Sequence, residues 1–516
     1  MKKISDWEIE KLSAQVVFPR LNIFDYLINN KYKQSIEALV IKGVGGFCVF
    51  GGNIEDNIKV INELQMITDV PLLFAGDFEN GLSMRLSEGT EFPHAMALAK
   101  TKSTETTRNT AKMIAMEAKA IGVHWNFAPV ADINNNPNNP VINIRSFGEN
   151  TELVSAHTTA YIDGCQSEKV LACAKHFPGH GDTQINSHLS LPELNFTLKQ
   201  LRQRELLPFI GAIAADVHSI MLGHLSLPLI TNSNLPASFS KIIVTDLLKN
   251  ELNFKGLIVT DALEMNAICN NFTTNQIAKL TIEAGVNVLL MPQNEIAIID
   301  ELQSLSFENE EFKTKLIQSV EKIIQEKRWT GLIPQYVHQD LPKNLFTAHP
   351  YKALKYSSKA LQIIDPDNLI PLKDINRISV FALLNNSNDF DKATKFVKML
   401  SEATDFEIDF AYLDSQIQQE YLDKFKEEST ESDLVIFPIF LKNSTYASSV
   451  SLPPAFKWII EELSANKKSI SILFGSPYYS NEIKSNSKIL TFSDAYSSLA
   501  AVVVKLTNRN LDWIEE

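Results

Sequence analysis

The sequence predicts a two-part α/β protein: a (β/α)8 TIM-type barrel followed by a smaller α/β sandwich domain. Three observations carry that expectation. Short apolar, β-branched runs alternate with helix-like stretches through the first two-thirds of the chain. Side chains suited to chemistry follow those runs at their carboxyl ends, where barrel enzymes place their active sites. Beyond about residue 322 the pattern breaks at Pro334, Pro342 and Pro350, and a second alternating region begins. With 516 residues the chain is also too long for one ordinary core.

The candidate barrel strands are residues 14–18, 46–50, 71–75, 125–130, 170–174, 219–222, 257–260 and 288–291. Helical patterns lie between them. Residues 104–121 place Ala111, Ile114, Ala115, Ala118 and Ile121 on one helix face. The barrel is expected over 1–335, a linker wrapping back over it at 336–355, and the sandwich over 356–516. Sandwich strands are expected at 378–384, 407–412, 434–440, 470–474 and 489–492, with helices at 391–400 and 455–463. This second region has no Gly-rich phosphate loop and few histidines, so a supporting role is expected of it.

The net charge of −13 argues against a nucleic-acid partner, because phosphate binding needs clustered Lys and Arg. Cys48, Cys165, Cys173 and Cys269 lie in or beside apolar segments without metal-like spacing, which predicts buried free thiols. No run is long enough to span a membrane, and the first residues lack an apolar leader. A cytoplasmic protein is expected, although a secreted form trimmed of its signal would read the same. A monomer or weak oligomer without cofactor or metal is expected.

The densest chemistry is at 175–188, where Lys175, His176, His180 and His188 fall together in a chain with only 10 histidines. The apolar run 170–174 leads into glycines and a proline, the pattern of a buried strand ending in a functional loop. Asp77, Asp132, His224 and Asp261 follow other strands. Asp261 ends a fully apolar strand, where a carboxylate needs a reason. It reads equally as a helix N-cap or as a nucleophile or general base at the barrel mouth. His176, His180 and Asp182 could be spaced as metal ligands, but Lys175 beside them would repel a cation. Sugar recognition is the better account: Lys175, His176, Asp77, Arg85 and Arg145 form a set suited to hydroxyls. His188 reads either as a surface residue or as an acid/base group, since imidazole titrates near neutral pH.

At these residues the chain resembles glycoside hydrolase family 3, in its bacterial β-N-acetylglucosaminidase, peptidoglycan-recycling branch. The family segment Lys-His-Phe-Pro-Gly-His-Gly, four residues, then Asp-Ser-His is matched from Lys175 to His188 at all but one position. The resemblance continues at 127–132, 138–142, 145–148, 260–265 and 284–292. It covers the barrel and, more loosely, the second domain. It implies exo-cleavage of a β-linked N-acetylglucosamine with retention, with Asp261 as nucleophile and His188 as acid/base. Asp77, Arg85, Arg145, Lys175 and His176 are implied to bind the terminal sugar. In such a mechanism one group attacks the anomeric carbon while a second protonates the leaving oxygen.

Three positions depart from the family pattern. Asn186 stands where an Asp would orient the histidine and stabilise imidazolium. In a serine-protease triad the comparable change lowers turnover by about 10⁴. A slow enzyme, compensation by another carboxylate such as Asp182, or a sugar-binding protein with little catalysis would each follow. Asn80 replaces a family glycine and Asn287 a family aspartate. Fewer acids near the mouth would ease entry of an anionic acceptor such as phosphate, so a phosphorolytic variant is an alternative.

Overall fold

The computed structural model describes residues 3–183, 191–336, 345–384, 389–414, 419–441 and 452–509, which fall into two compact units. The first comprises Met1–Thr90, Thr107–Asn136 and Ser146–Phe346. Its strands are β1 (Val17–Phe18), β2 (Arg20–Asn22), β3 (Gly46–Phe50), β4 (Leu73–Gly76), β5 (Trp125–Asn126), β6 (Leu171–Phe177), β7 (Ser219–Leu222), β8 (Leu257–Thr260) and β9 (Leu289–Leu290). From β2 to β8 they form one curled parallel sheet of seven strands in chain order. β9 pairs in parallel with β1, Val17 opposite Leu289. A bridge between Val259 and Val288 joins it to the end of β8.

Helices return the chain between strands, among them Asn30–Lys42, Ile54–Met66, Thr104–Ala120, Thr151–Gln166 and Thr274–Ala284. Their ends carry local signals. Asn53 accepts from the Asp56 amide at 2.7 Å, and Thr273 with Gln276 forms a capping box. Gly285 ends the last of these helices at φ 104°, a conformation a Cβ would resist. Every residue of β6 is buried, as expected of a parallel strand covered on both faces. Within the core Phe18 and Trp125 meet edge to face at 5.6 Å. The Trp125 indole donates to Ser219 Oγ at 2.7 Å, so its polar atom is satisfied in the interior.

The strand expected at 14–18 is displaced. Ala14 and Gln15 belong to the helix Ile9–Gln15, and the extended chain is instead split into β1 and β2 by Pro19. Proline has no N–H to give to a ladder, so the pairing changes partner there. The run 125–130 is strand only at Trp125–Asn126, and β6 runs on past residue 174 to Phe177.

The second unit comprises Glu91–Thr106, Pro137–Arg145 and Thr347–Glu516. Its strands are β10 (Gln362–Ile364), β11 (Arg377–Leu384), β12 (Glu407–Asp414), β13 (Leu434–Leu441), β14 (Ser469–Gly475) and β15 (Ser487–Leu490). They form one sheet ordered β10-β15-β14-β13-β11-β12, parallel except for β10. Alternation along β11 divides two apolar clusters. Phe381 and Leu383 join Phe456, Ile460 and Leu463, while Val380 and Ala382 join Phe396, Leu499 and Val503. Helices therefore contribute to clusters on both faces of the sheet. Met96, Ala97 and Ile144, far upstream in sequence, lie in the first of these clusters. The stretch read as linker becomes helix over Leu345–Ala360, with Pro350 inside it. Among the described residues, no helix is long and apolar enough to cross a membrane.

Candidate active site

The site is assembled in the first unit at the carboxyl ends of the strands. Lys175 lies near the end of β6 and is only 2% exposed. Its ammonium donates to Asp77 Oδ1 at 2.9 Å and lies 2.7 Å from Glu79 Oε1. The other oxygen of Asp77 accepts from Arg85 at 2.8 Å. Asp77 and Glu79 follow β4 directly, and two buried side chains fix the backbone between them. Asn126 of β5 bonds both the amide and the carbonyl of Phe78, at 3.1 and 3.2 Å. The Tyr161 hydroxyl donates to the carbonyls of Phe78 and Glu79.

A second hub forms around Asp132, beyond β5. Its carboxylate accepts from the His176 amide at 3.1 Å, the His180 amide at 2.7 Å and His176 Nδ1 at 2.7 Å. The Ser146 hydroxyl holds its backbone carbonyl at 2.6 Å. The adjoining loop is bound into the sheet, with the Ala131 amide donating to the Lys175 carbonyl at 2.6 Å. Two glycines are required for this packing. A Cβ on Gly181 would lie 1.6 Å from the Ile133 carbonyl oxygen. Gly179 has φ +130°, and a Cβ there would press on Glu205 at 2.9 Å.

Charges set the protonation of these groups. Burial alone would raise the Asp77 carboxyl, but Lys175 and Arg85 outweigh it and hold it well below the usual range. Burial acts likewise on Asp132, which the neighbouring His176 holds ionised. His180 is pushed down to about 4 by burial and by repulsion from His176. It stays neutral near pH 7, with Nδ1 bonded to Thr183 Oγ1 at 2.8 Å. Burial pushes the Cys173 thiol up to about 12, and Cys48, Cys165 and Cys173 are buried free thiols while Cys269 is partly exposed.

Asp261 stands at the end of β8, its amide donating to the Leu222 carbonyl at 3.0 Å. Its Oδ1 accepts from the next amide, Ala262, at 2.8 Å. It caps no helix: the next one, Asn266–Cys269, begins after Met265. Arg145 belongs to the second unit, on the turn Asn143–Arg145, and donates to the Val141 carbonyl at 3.0 Å. His188 and Asn186 lie outside the described residues. Asp182, the suggested substitute carboxylate, accepts from Asn135 at 2.8 Å and lies 3.9 Å from Arg204. His176 Nδ1 faces Asp132 and His180 Nδ1 faces Thr183, and among the described residues no group of three or more His, Cys, Asp or Glu is placed to hold a metal ion.

Some members of the site escaped sequence reasoning. Glu79 could have been found by its place just beyond β4. Arg20 had no such signal. It pairs with Glu264, which lies just past Asp261, and its guanidinium stacks 4.0 Å from the Phe50 ring. Arg85 approaches the same ring at 5.2 Å.

The arrangement sets fixed carboxylates, paired cations and a further carboxylate at strand ends of one curled parallel sheet. Residues 7–325 match the N-terminal domain of glycosyl hydrolase family 3, and the chain belongs to that family of glycosidases. It is 36% identical over 273 residues to β-hexosaminidase A of Pseudoalteromonas piscicida. It is 32% identical over 260 residues to a β-N-acetylglucosaminidase/β-glucosidase of Cellulomonas fimi. These matches take in 48% and 49% of this chain and 46% of each relative, so less than half of either relative's length is covered. Among solved structures, it resembles a family 3 β-N-acetylglucosaminidase from Paenibacillus sp. str. FPU-7. The TM-score is 0.81 at 26% identity, covering 97% of both chains.

Proposed function

We propose that this chain is a retaining exo-β-N-acetylglucosaminidase releasing terminal N-acetylglucosamine from peptidoglycan-derived or related glycosides. The observation that carries the reading is the cluster of Asp77, Lys175, Arg85, Asp132 and His176 in the same unit as Asp261. The β-hexosaminidase relatives and the Paenibacillus structure support the choice of sugar. In this reading the first unit is a (β/α)8 barrel, supported by the pairing of β9 with both β1 and the end of β8. The second unit is an α/β sandwich, supported by its two-faced sheet.

The roles follow from the chemistry. Asp77, held ionised, accepts hydrogen bonds from sugar hydroxyls, and Lys175 and Arg85 donate to their oxygens. His176, aimed by Asp132, contributes its other ring nitrogen. Asp261 attacks the anomeric carbon from a rigid strand end. His188 protonates the leaving oxygen and then takes a proton from water. Asn186 stands where an aspartate would supply charge to the imidazole.

An aryl N-acetyl-β-glucosaminide assay, with and without phosphate, tests this. Wild type should turn over and Asp261→Ala should fall to background. Equal rates in the two proteins would end the hydrolase reading. Asn186 favours a second reading, a catalytically weakened N-acetylglucosamine-binding protein. Calorimetric binding without turnover, together with turnover restored by Asn186→Asp, would select it.

A further inference from the structure

Glu205 lies between the helices Leu198–Gln203 and Leu207–Ala214, and neither the motif nor the mechanism above uses it. It is 2% exposed. One oxygen accepts from Arg204 Nε at 2.5 Å. The other, Oε2, is buried and has no hydrogen-bond partner among the described residues. That oxygen lies 3.1 Å from where a Cβ of Gly179 would stand, so the carboxyl packs directly against the turn between His176 and His180. The turn is closed by the Gly179 amide donating to the His176 carbonyl at 2.8 Å. An orphaned buried oxygen is costly and marks a group held for a purpose other than stability.

We propose that Glu205 is a positioning residue for His176 and His180. As an anion it holds Arg204 and braces the turn at Gly179; on taking up a proton it lets that turn relax. Three charged groups act on it: Arg204 on its own segment, Asp132 beyond β5, and Asp182 beyond β6. Arg204 also lies 3.9 Å from Asp182, so one guanidinium spans Glu205 and the far end of the loop. Burial, opposed by Arg204 and reinforced by Asp132 and Asp182, pushes the Glu205 carboxyl up to about 7. The exchange of its proton therefore falls where a glycosidase of this kind would work. Asp132, which organises His176 and His180 from one side, and Glu205, which supports the turn from the other, form a clamp with a single titrating jaw.

The kinetic consequence rests on the glycosidase reading, and the spectroscopic one does not. In the full chain labelled with ¹⁵N-histidine, the ring signals of His180, which stays neutral through this range, should shift with an inflection near pH 7, set by Glu205. Glu205→Gln, isosteric and permanently neutral, should abolish that inflection. With an aryl N-acetyl-β-glucosaminide, wild-type KM should rise as pH falls through the same range. Glu205→Gln should hold KM at the low-pH level throughout, about ten-fold high at pH 8, with kcat changed far less, within what a small misplacement can cost. Glu205→Ala controls for packing alone: a purely structural role would lower thermal stability in both variants and leave the pH profile unmoved. Identical titrations in wild type and Glu205→Gln would overturn the proposal. Absent turnover with the inflection intact would overturn the glycosidase reading and leave the clamp standing.

Discussion

Lys175→Met tests whether the acidic pair beyond β4 depends on one buried ammonium. The ammonium is 2.9 Å from Asp77 and 2.7 Å from Glu79. At an effective dielectric of 20 each contact corresponds to about 6 kcal/mol of bare attraction. Desolvation of the lysine and both acids cancels much of it, and breaking such a pair from one side costs about 3–5 kcal/mol. Methionine keeps the length of the side chain, so the loss is electrostatic. Arg85 would then remain as the partner of Asp77. Removing the surplus charge as well, in Lys175→Met/Glu79→Gln, should restore about 2 kcal/mol or more, a coupling of the size seen between groups in contact. Urea unfolding followed by far-UV circular dichroism gives the four corners of the cycle. A Lys175→Met loss below about 1 kcal/mol, or a coupling near zero, would refute the reasoning, because neither fits a desolvated charge stripped of its partner.

The same cluster fixes the acid limb of stability. Asp77 and Asp132 have folded values below the ordinary 3.8, so the unfolded chain binds their protons first as pH falls. Their contribution is complete above that value and is lost as pH drops through the folded values. The unfolding midpoint should fall from about pH 5 downward, and Asp77→Asn should flatten that fall; an unchanged slope in the variant would contradict the assignment. Gly181→Ala sets a Cβ 1.6 Å from the Ile133 carbonyl oxygen, which no side-chain rotation can relieve. Calorimetry should show N-acetylglucosamine affinity falling by ten-fold or more, with about 1–3 kcal/mol of overpacking cost. Wild-type affinity in that variant would show the loop free to move.

Where the sequence was readable, a short-range pattern had a single physical cause. Parallel strands buried on both faces must be continuously apolar, so β3, β4, β6, β7 and β8 stand out as runs. Asp77, Lys175, His176 and Asp261 stand out in the sequence because each polar residue ends such a run. The failures have causes at longer range. Pro19 moved the first strand by refusing one hydrogen bond. β10 is half exposed and antiparallel at a sheet edge, so it lacks the apolar signal altogether. Met96 and Ile144 read as barrel segments because the cluster that buries them lies hundreds of residues downstream. Glu79 was passed over because its partner Lys175 lies on a different strand, and no local pattern records such a pairing.

Under the proposed function, the cluster would bind a neutral sugar with charged groups at little reorganisation cost. Asp77 is already bonded to Lys175 and Arg85, and Asp132 to His176 and two amides. Each charge is therefore held by another before any ligand arrives, and the dipoles that meet the sugar hydroxyls need not be turned at the moment of binding. Asp261 is placed differently: its backbone is anchored to β7 through the Leu222 carbonyl, and its carboxylate accepts from the following amide. Under the proposed function, binding groups locked by mutual charge and a reacting group fixed by the sheet would respond to different substitutions. Lys175→Met should raise KM along with its loss of stability, whereas Asp261→Ala should remove turnover and leave N-acetylglucosamine affinity near wild type. That separation is what differential stabilisation of a transition state requires.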